Sequence, residues 1–98
     1  MSLNQILTED IRLALLRFLS EGNAYSLNES ILHAALGTLG HHVSRDRVRS
    51  ELSWLAEQGL LTVREVVNPQ VATLTSRGLD ISAGLATMPG VKRPSPRG

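Results

Sequence analysis

A chain of 98 residues makes one small domain, large enough to bury a core yet close to the margin at which a second copy helps stability. The absence of cysteine excludes disulfides, thiolate metal sites and cysteine nucleophiles, and no apolar run approaches the roughly 18 residues that span a bilayer. The net charge of +1 conceals an asymmetry: residues 1–91 hold seven arginines and no lysine against nine acidic residues, a balance of −2, and Lys92, Arg93 and Arg97 supply the rest. A dedicated nucleic-acid binder usually carries a basic body, so charge alone argues against that class. The start, MSLNQILTED, lacks the basic and apolar regions of a signal peptide, and the expected location is the cytoplasm.

Thr8 is placed to cap a first helix, with Glu9 and Asp10 in its first turn, where carboxylates meet the positive end of the helix dipole. Ile11, Ala14, Leu15, Phe18 and Leu19 recur at helical spacing and form its core face. Leu13 and Leu16 fall on other faces, so this helix is apolar nearly all round and needs cover on more than one side. Gly22 and Asn23 end it. Ala24 to Leu27 reads as a short strand. Ser26-Leu27-Asn28-Glu29 has capping-box spacing, with Ser26 at the cap and Glu29 reaching back. A second helix then carries Ile31, Leu32, Ala35, Leu36 and Leu39 to a stop at Gly40. The turn Gly40-His41-His42-Val43 leads to Ser44, which caps a third helix. Two short helices joined so tightly are the signature of a helix-turn-helix.

Along the third helix, Arg45 to Gln58, the residues Val48, Leu52 and Leu55 fall within about 60° of one another. Arg49, Ser53, Asp46, Ser50 and Glu57 take the opposite side, and Arg45 and Arg47 flank the apolar stripe. Gly59 stops the helix. Leu61 to Val67 and Val71 to Thr75 are rich in β-branched residues and are separated by Asn68-Pro69-Gln70, which predicts a hairpin. The alternation slips at Glu65-Val66-Val67, where a bulge or loose tip is expected. Thr75 or Ser76 caps a fourth helix from about Arg77 to Thr87. Leu79, Ala83 and Ala86 lie on one side of it, and Ile81, Leu85 and Met88 on another. From Pro89 the chain is rich in proline, glycine and basic residues, so residues 1–88 form the expected domain and residues 89–98 a disordered tail.

The order helix, short strand, helix, helix, two-stranded wing, helix resembles the winged helix-turn-helix transcription regulators of bacteria. The residues that carry the resemblance are Val43-Ser44, Val48, Leu52, Leu55, Gly59-Leu60-Leu61 and Leu74-Thr75-Ser76-Arg77-Gly78. The last two runs are especially similar to regulators of the arsenical-repressor and multiple-antibiotic-resistance types. The compact whole, with LTSRGLDISAG and a short basic tail, also resembles small proteins encoded in Mu-like prophages. The expected fold is mainly α with a small β wing, in the order α-(β)-α-α-β-β-α. Three departures stand out: metal-sensing arsenical repressors use cysteines, which are absent here; Asn68 and Gln70 replace the usual basic residues of the wing tip; and Asp46 sits on the exposed side of the third helix.

The resemblance implies transcriptional control through double-stranded DNA. It places Ser44, Arg45, Arg47, Arg49 and Ser50 of the recognition helix at the major groove, where arginine grips guanine edges or phosphates. It implies wing contacts from Arg64, Asn68 and Gln70, and tail contacts from Lys92, Arg93 and Arg97. The apolar excess of the first helix and the two apolar stripes of the last predict a homodimer through them, which would read a palindromic site. The resemblance implies no cofactor and no metal, and it leaves a small-molecule effector open. The competing reading is a winged-helix adaptor for another protein, in which the arginines form a solvated face offset by Asp46 and Glu51. In that reading Arg64 pairs across the hairpin and the tail is a solvated end.

Trp54, about 120° from the Leu52–Leu55 stripe, is expected to pack against the core rather than touch DNA, at the base of the wing or in a dimer contact. His33, His41 and His42 lack a carboxylate or thiol at ligand spacing, and a phosphate contact by His41 or His42 is the better use of them. Gly37-Thr38-Leu39-Gly40 has the spacing of the KH-domain RNA-binding loop without its basic residues. No Walker loop, HExxH, GxSxG or dinucleotide fingerprint is present, and an enzyme is not expected.

Overall fold

The computed structural model describes residues 1–64 and 68–95. Four helices and three strands follow one another as α1 (Leu3–Glu21), β1 (Ser26–Asn28), α2 (Glu29–Thr38), α3 (Arg45–Glu57), β2 (Leu61–Arg64), β3 (Val71–Leu74) and α4 (Ser76–Ser82), with a single 3-10 turn at Asn23–Tyr25. The strands form one antiparallel sheet in the order β1-β3-β2. This is the winged arrangement expected from the sequence, with β1 added to the outer edge of the hairpin.

α1 is the centre of the packing. Its buried residues Ile11, Leu13, Ala14, Leu15, Leu16 and Leu19 point in nearly every direction, and α2, α3, α4, β1 and β3 all pack on it. Leu15, Leu16 and Leu19 are completely shielded, each stabilising the fold by about 2 kcal/mol of apolar transfer. Leu32 and Leu36 of α2 and Val48, Leu52 and Leu55 of α3 complete the core. The α3 stripe read from periodicity is therefore its buried face.

Three helix starts or ends differ from expectation. α1 begins at Leu3, because Ser2 and Gln5 form a reciprocal capping box, and Thr8 lies inside the helix. Leu3, Ile6 and Leu7 are exposed, so their turns add nothing to the core periodicity that placed the start later. α2 is capped by Asn28, not Ser26: β1 pairs with β3 through Asn28, and the Ser26 hydroxyl bonds to the Thr73 hydroxyl at 2.6 Å. α4 ends at Ser82, well short of Thr87, and Gly84 follows with φ +79. Leu85, Ala83 and Ala86 are left exposed, so both apolar stripes expected there are cut short, to Leu79 on one side and to Ile81 and Met88 on the other.

The two runs that carry the strongest regulator resemblance meet in space. Thr75 caps α4 by accepting from the Gly78 N–H, donates its hydroxyl to the Gly59 carbonyl at 2.8 Å, and donates its own N–H to the Leu60 carbonyl. Gly78 sits so close to Leu60 that an added Cβ would lie 1.9 Å from the Leu60 oxygen. Only glycine lets α4 close on the turn that launches β2.

Beyond α4 the chain stays packed further than composition suggested. Val91 is buried in the core, the Lys92 N–H donates to the Glu9 carbonyl, and Gly90 lies against Trp54. Proline and glycine content predicted a free tail from Pro89. One buried valine and two backbone anchors overrule it as far as Lys92.

Candidate functional site

Ser44 opens α3 by accepting from the Arg47 N–H at 3.0 Å, and over its first three turns α3 exposes Asp46, Arg49, Ser50 and Ser53. The hairpin rises beside it. Between them lies a cleft of about 480 Å³ lined by Asp46, Arg49, Ser50, Ser53, Val63 and Gln70. Its walls are hydroxyl, amide and charged groups rather than an apolar surface. It is open enough to receive an extended or convex polar partner, and too polar to be a pocket for an apolar ligand.

The arginines of α3 divide between two flanks. Arg45 and Arg49, one turn apart, converge on the Glu29 carboxylate of α2, at 3.3 and 3.5 Å to the same Oε1. Arg49 also donates to Asp46, and this bond, with the Glu29 charge behind it, holds the guanidinium more firmly protonated than usual. Both arginine side chains keep close to half their surface in solvent, whereas Glu29 is 1% exposed. The Glu29 N–H in turn donates to the Gln70 carbonyl at 2.9 Å, so the same residue ties α2 to the tip end of the wing, just before β3.

Arg47 points the other way. Its Nε donates to Glu51 at 2.8 Å and its terminal nitrogen to the Thr8 hydroxyl at 2.7 Å, which pins α3 to α1. Glu51 is buried between Arg47 and Arg12, whose Nε reaches its other oxygen at 2.7 Å. Arg12 also stacks 3.7 Å over the Trp54 ring and donates to the Gly90 carbonyl. Trp54 thus packs against the core as expected, beneath the C-terminal segment at Gly90. Arg47 and Glu51, expected on or beside the DNA face, belong to the frame.

The histidines are similarly committed. His33 Nε2 donates to the Val43 carbonyl at 2.7 Å across the helix-turn, and His41 Nε2 donates to Asp10 at 2.6 Å. Burial pushes the Asp10 carboxyl up, but bonds from His41 and Lys92 and their charges outweigh it, and Asp10 ends below the usual carboxylate range. A phosphate contact is left to His42, which is exposed. The GxxG run offers no loop: Gly37 lies in the last turn of α2 and Gly40, at φ +87, terminates it.

Comparison with known proteins yields two relatives of similar size. The uncharacterized protein gp26 of Escherichia phage Mu is 54% identical over 95 residues, covering 97% of this chain and 98% of gp26. The chain belongs to the family of phage Mu gp26. An uncharacterized protein of Haemophilus influenzae is 48% identical over 83 residues, covering 84% of this chain and 80% of that protein. No protein-family profile matches the chain, and no solved structure does. The resemblance to small Mu-like prophage proteins is thus a family relationship, and the winged-helix architecture described above is that of a gp26 relative.

Set against this geometry, the residues expected to bind separate clearly. Arg45, Arg49 and Ser50 share the exposed side of α3, Ser44 caps it, and Gln70 faces Arg49 and Ser50 across the cleft. Asn68 is exposed near the tip but is not among the cleft residues. Arg64 is exposed on the sheet face opposite Val63, and its cross-strand neighbour is Val71, so neither the cleft nor a cross-hairpin ion pair claims it. The expected bulge at residues 65–67 lies outside the described residues, as does Arg97. Lys92 is held by Asp10 at 3.3 Å, and Arg93 is exposed beyond it. Ser53 and Val63 complete the cleft, and alternation along α3 and β2 could have placed them. Glu29 could not have been found that way: it is 16 and 20 residues from Arg45 and Arg49, and its position after a capping signal suggested a local role.

No helix among the described residues is long and apolar enough to cross a membrane.

Proposed function

We propose that this protein binds duplex DNA through the exposed side of α3 and the cleft against the wing, as a transcription regulator working in a phage or prophage setting. One observation carries the reading: the second helix of a helix-turn-helix presents Arg45, Arg49, Ser50 and Ser53 together, with Gln70 of the wing facing them. An α-helix fits the major groove, arginine and serine contact base edges and phosphates, and the groove between helix and wing leaves room for the backbone. Kinship with a phage Mu protein supports the setting.

The active form is a homodimer through the first and last helices. Leu3, Ile6 and Leu7 on α1 and Leu85 after α4 are exposed apolar side chains that a second copy would cover. Two recognition helices roughly 34 Å apart would then address a palindromic site. Sedimentation as a monomer at micromolar concentration would remove the dimer.

Titration of a labelled random-sequence duplex at two salt concentrations tests the DNA reading. Binding should weaken steeply with salt, about 0.9 in logarithmic slope for each phosphate neutralised. Ser50→Glu adds negative charge at an exposed cleft position without breaking an ion pair, and should weaken binding further. The alternative is a protein-binding adaptor, favoured by the acidic balance of residues 1–91 and by the carboxylates of Glu29 and Asp46 around Arg45 and Arg49. It predicts no duplex binding even at low salt.

A further inference from the structure

We propose that Glu29 is a buried counter-charge that holds Arg45 beside Arg49, which lines the cleft, and withholds part of the charge of both from phosphate, so limiting non-specific grip on DNA. The proposal rests on the duplex reading above and names a residue outside the contact surface that sets the strength and salt dependence of that contact.

The geometry is unusual for a first-turn glutamate. A carboxylate near a helix N-terminus ordinarily stays in solvent, where the dipole favours it at no desolvation cost. Glu29 instead lies 1% exposed, and among the described residues its Oε2 has no hydrogen-bond partner. Burying a carboxylate costs several kcal/mol unless cations compensate it. Among the described residues the cations that compensate it are Arg45 and Arg49, both through Oε1 and at 3.3 and 3.5 Å, distances longer than the 2.7 and 2.8 Å of the Glu51 pairs. The carboxylate is therefore attractive to both guanidinium groups yet leaves each with free donors facing solvent.

Two consequences follow. Two long side chains that would otherwise repel each other are drawn to one anchor, which restricts their rotamers before any ligand arrives. The local charge is also cancelled: two arginines face Glu29 and Asp46, a balance of zero at the tip of the recognition helix. A phosphate must compete with Glu29 for the guanidinium groups. A base edge, recognised by directed hydrogen bonds, gains from their fixed placement. Because the Glu29 N–H is also bonded to Gln70, the anchor keeps the arginines in register with the wing.

The test compares Glu29→Gln, Glu29→Asp and Glu57→Gln with the unaltered protein in titrations of a random-sequence duplex over a range of salt. Glu57 is exposed on the same helix and forms no ion pair among the described residues, so its variant changes net charge by the same amount without touching the arginines. Glu29→Gln should bind the random duplex about fivefold more tightly at low salt, with a salt slope steeper by about one. Glu29→Asp should keep the original slope, and Glu57→Gln should move it by less than half as much. Equal effects of Glu29→Gln and Glu57→Gln, or none from either, would overturn the role of Glu29 while leaving the duplex reading intact. Failure of the unaltered protein to bind any duplex would remove both. Should Glu29→Gln not fold, side-chain NMR of the unaltered protein decides: the Arg45 and Arg49 guanidinium groups should rotate slowly beside the exposed Arg77, and rotation as fast as that of Arg77 would overturn the anchor.

Discussion

The two flanks of α3 use the same residue types for opposite ends. On the flank toward α1, Glu51 is gripped from both sides by Arg12 and Arg47 at 2.7 and 2.8 Å, and a tryptophan and a backbone carbonyl finish the cluster. On the flank toward the wing, Glu29 meets two arginines at longer range and leaves them half exposed. Short, saturated, shielded ion pairs fix the position of a helix. Long, unsaturated pairs with exposed donors leave charge available to a partner. What separates Arg47 from Arg45 and Arg49 is only the direction in which each leaves the helix and which acid it finds there.

The largest expected effect falls on the shielded flank. Glu51→Ala leaves Arg12 and Arg47 facing each other without their anion and should cost about 2 kcal/mol, a drop of roughly 10 °C in melting temperature. An unchanged melting curve would show that this cluster is not the frame. On the open flank, replacing Arg45 and Arg49 by alanine would strand the buried Glu29 charge, so the pair is best removed in Glu29→Gln protein. Relative to that parent, affinity for a duplex should fall about tenfold at low salt with little change in melting. Arg47→Ala sharpens the contrast. It should cost about 1 kcal/mol of stability, because Glu51 keeps Arg12, while duplex affinity stays within about twofold. A loss of affinity like that of the Arg45 and Arg49 variant would return Arg47 to the proposed contact surface.

The smallest effect concerns Asp10, which ties α1 to His41 of the helix-turn and to Lys92. Its carboxyl is depressed on folding, so its stabilisation is fully present above the unfolded value of about 3.9 and is lost as pH falls through the lower folded value. Asp10→Asn should therefore be less stable than the parent at neutral pH, by under about 1 kcal/mol, and the difference should shrink below about pH 3.9. A difference that persists in acid would mean the carboxylate charge is not what holds the turn.

How far these flanks were legible in the sequence differs element by element. The buried stripe of α3 came directly from Val48, Leu52 and Leu55, because helical pitch alone decides which side chains share a face. The turn before it came from Gly40 and Ser44, which act on their own backbone. The start of α1 was misplaced because Leu3, Ile6 and Leu7 are apolar yet uncovered, and periodicity cannot tell a core face from a bare one. The end of α4 was misplaced for the same reason at Leu85. Arg47 was expected at DNA because its true partners, Thr8 and Glu51, combine a contact 39 residues away with one four residues away, and only the former reveals the direction.

By itself the sequence determined the winged-helix order, the core stripes of α1 and α3, and the kinship with Mu-type phage proteins. These depend on local propensity and on patterns that each segment carries alone. Tertiary structure decided which arginines are frame and which are face, that Glu29 is buried beneath Arg45 and Arg49, and that the chain remains packed through Lys92. Each of these is a pairing between charges or apolar atoms distant in sequence, and the energy of a buried charge is set by its neighbours in space and not by its neighbours in the chain.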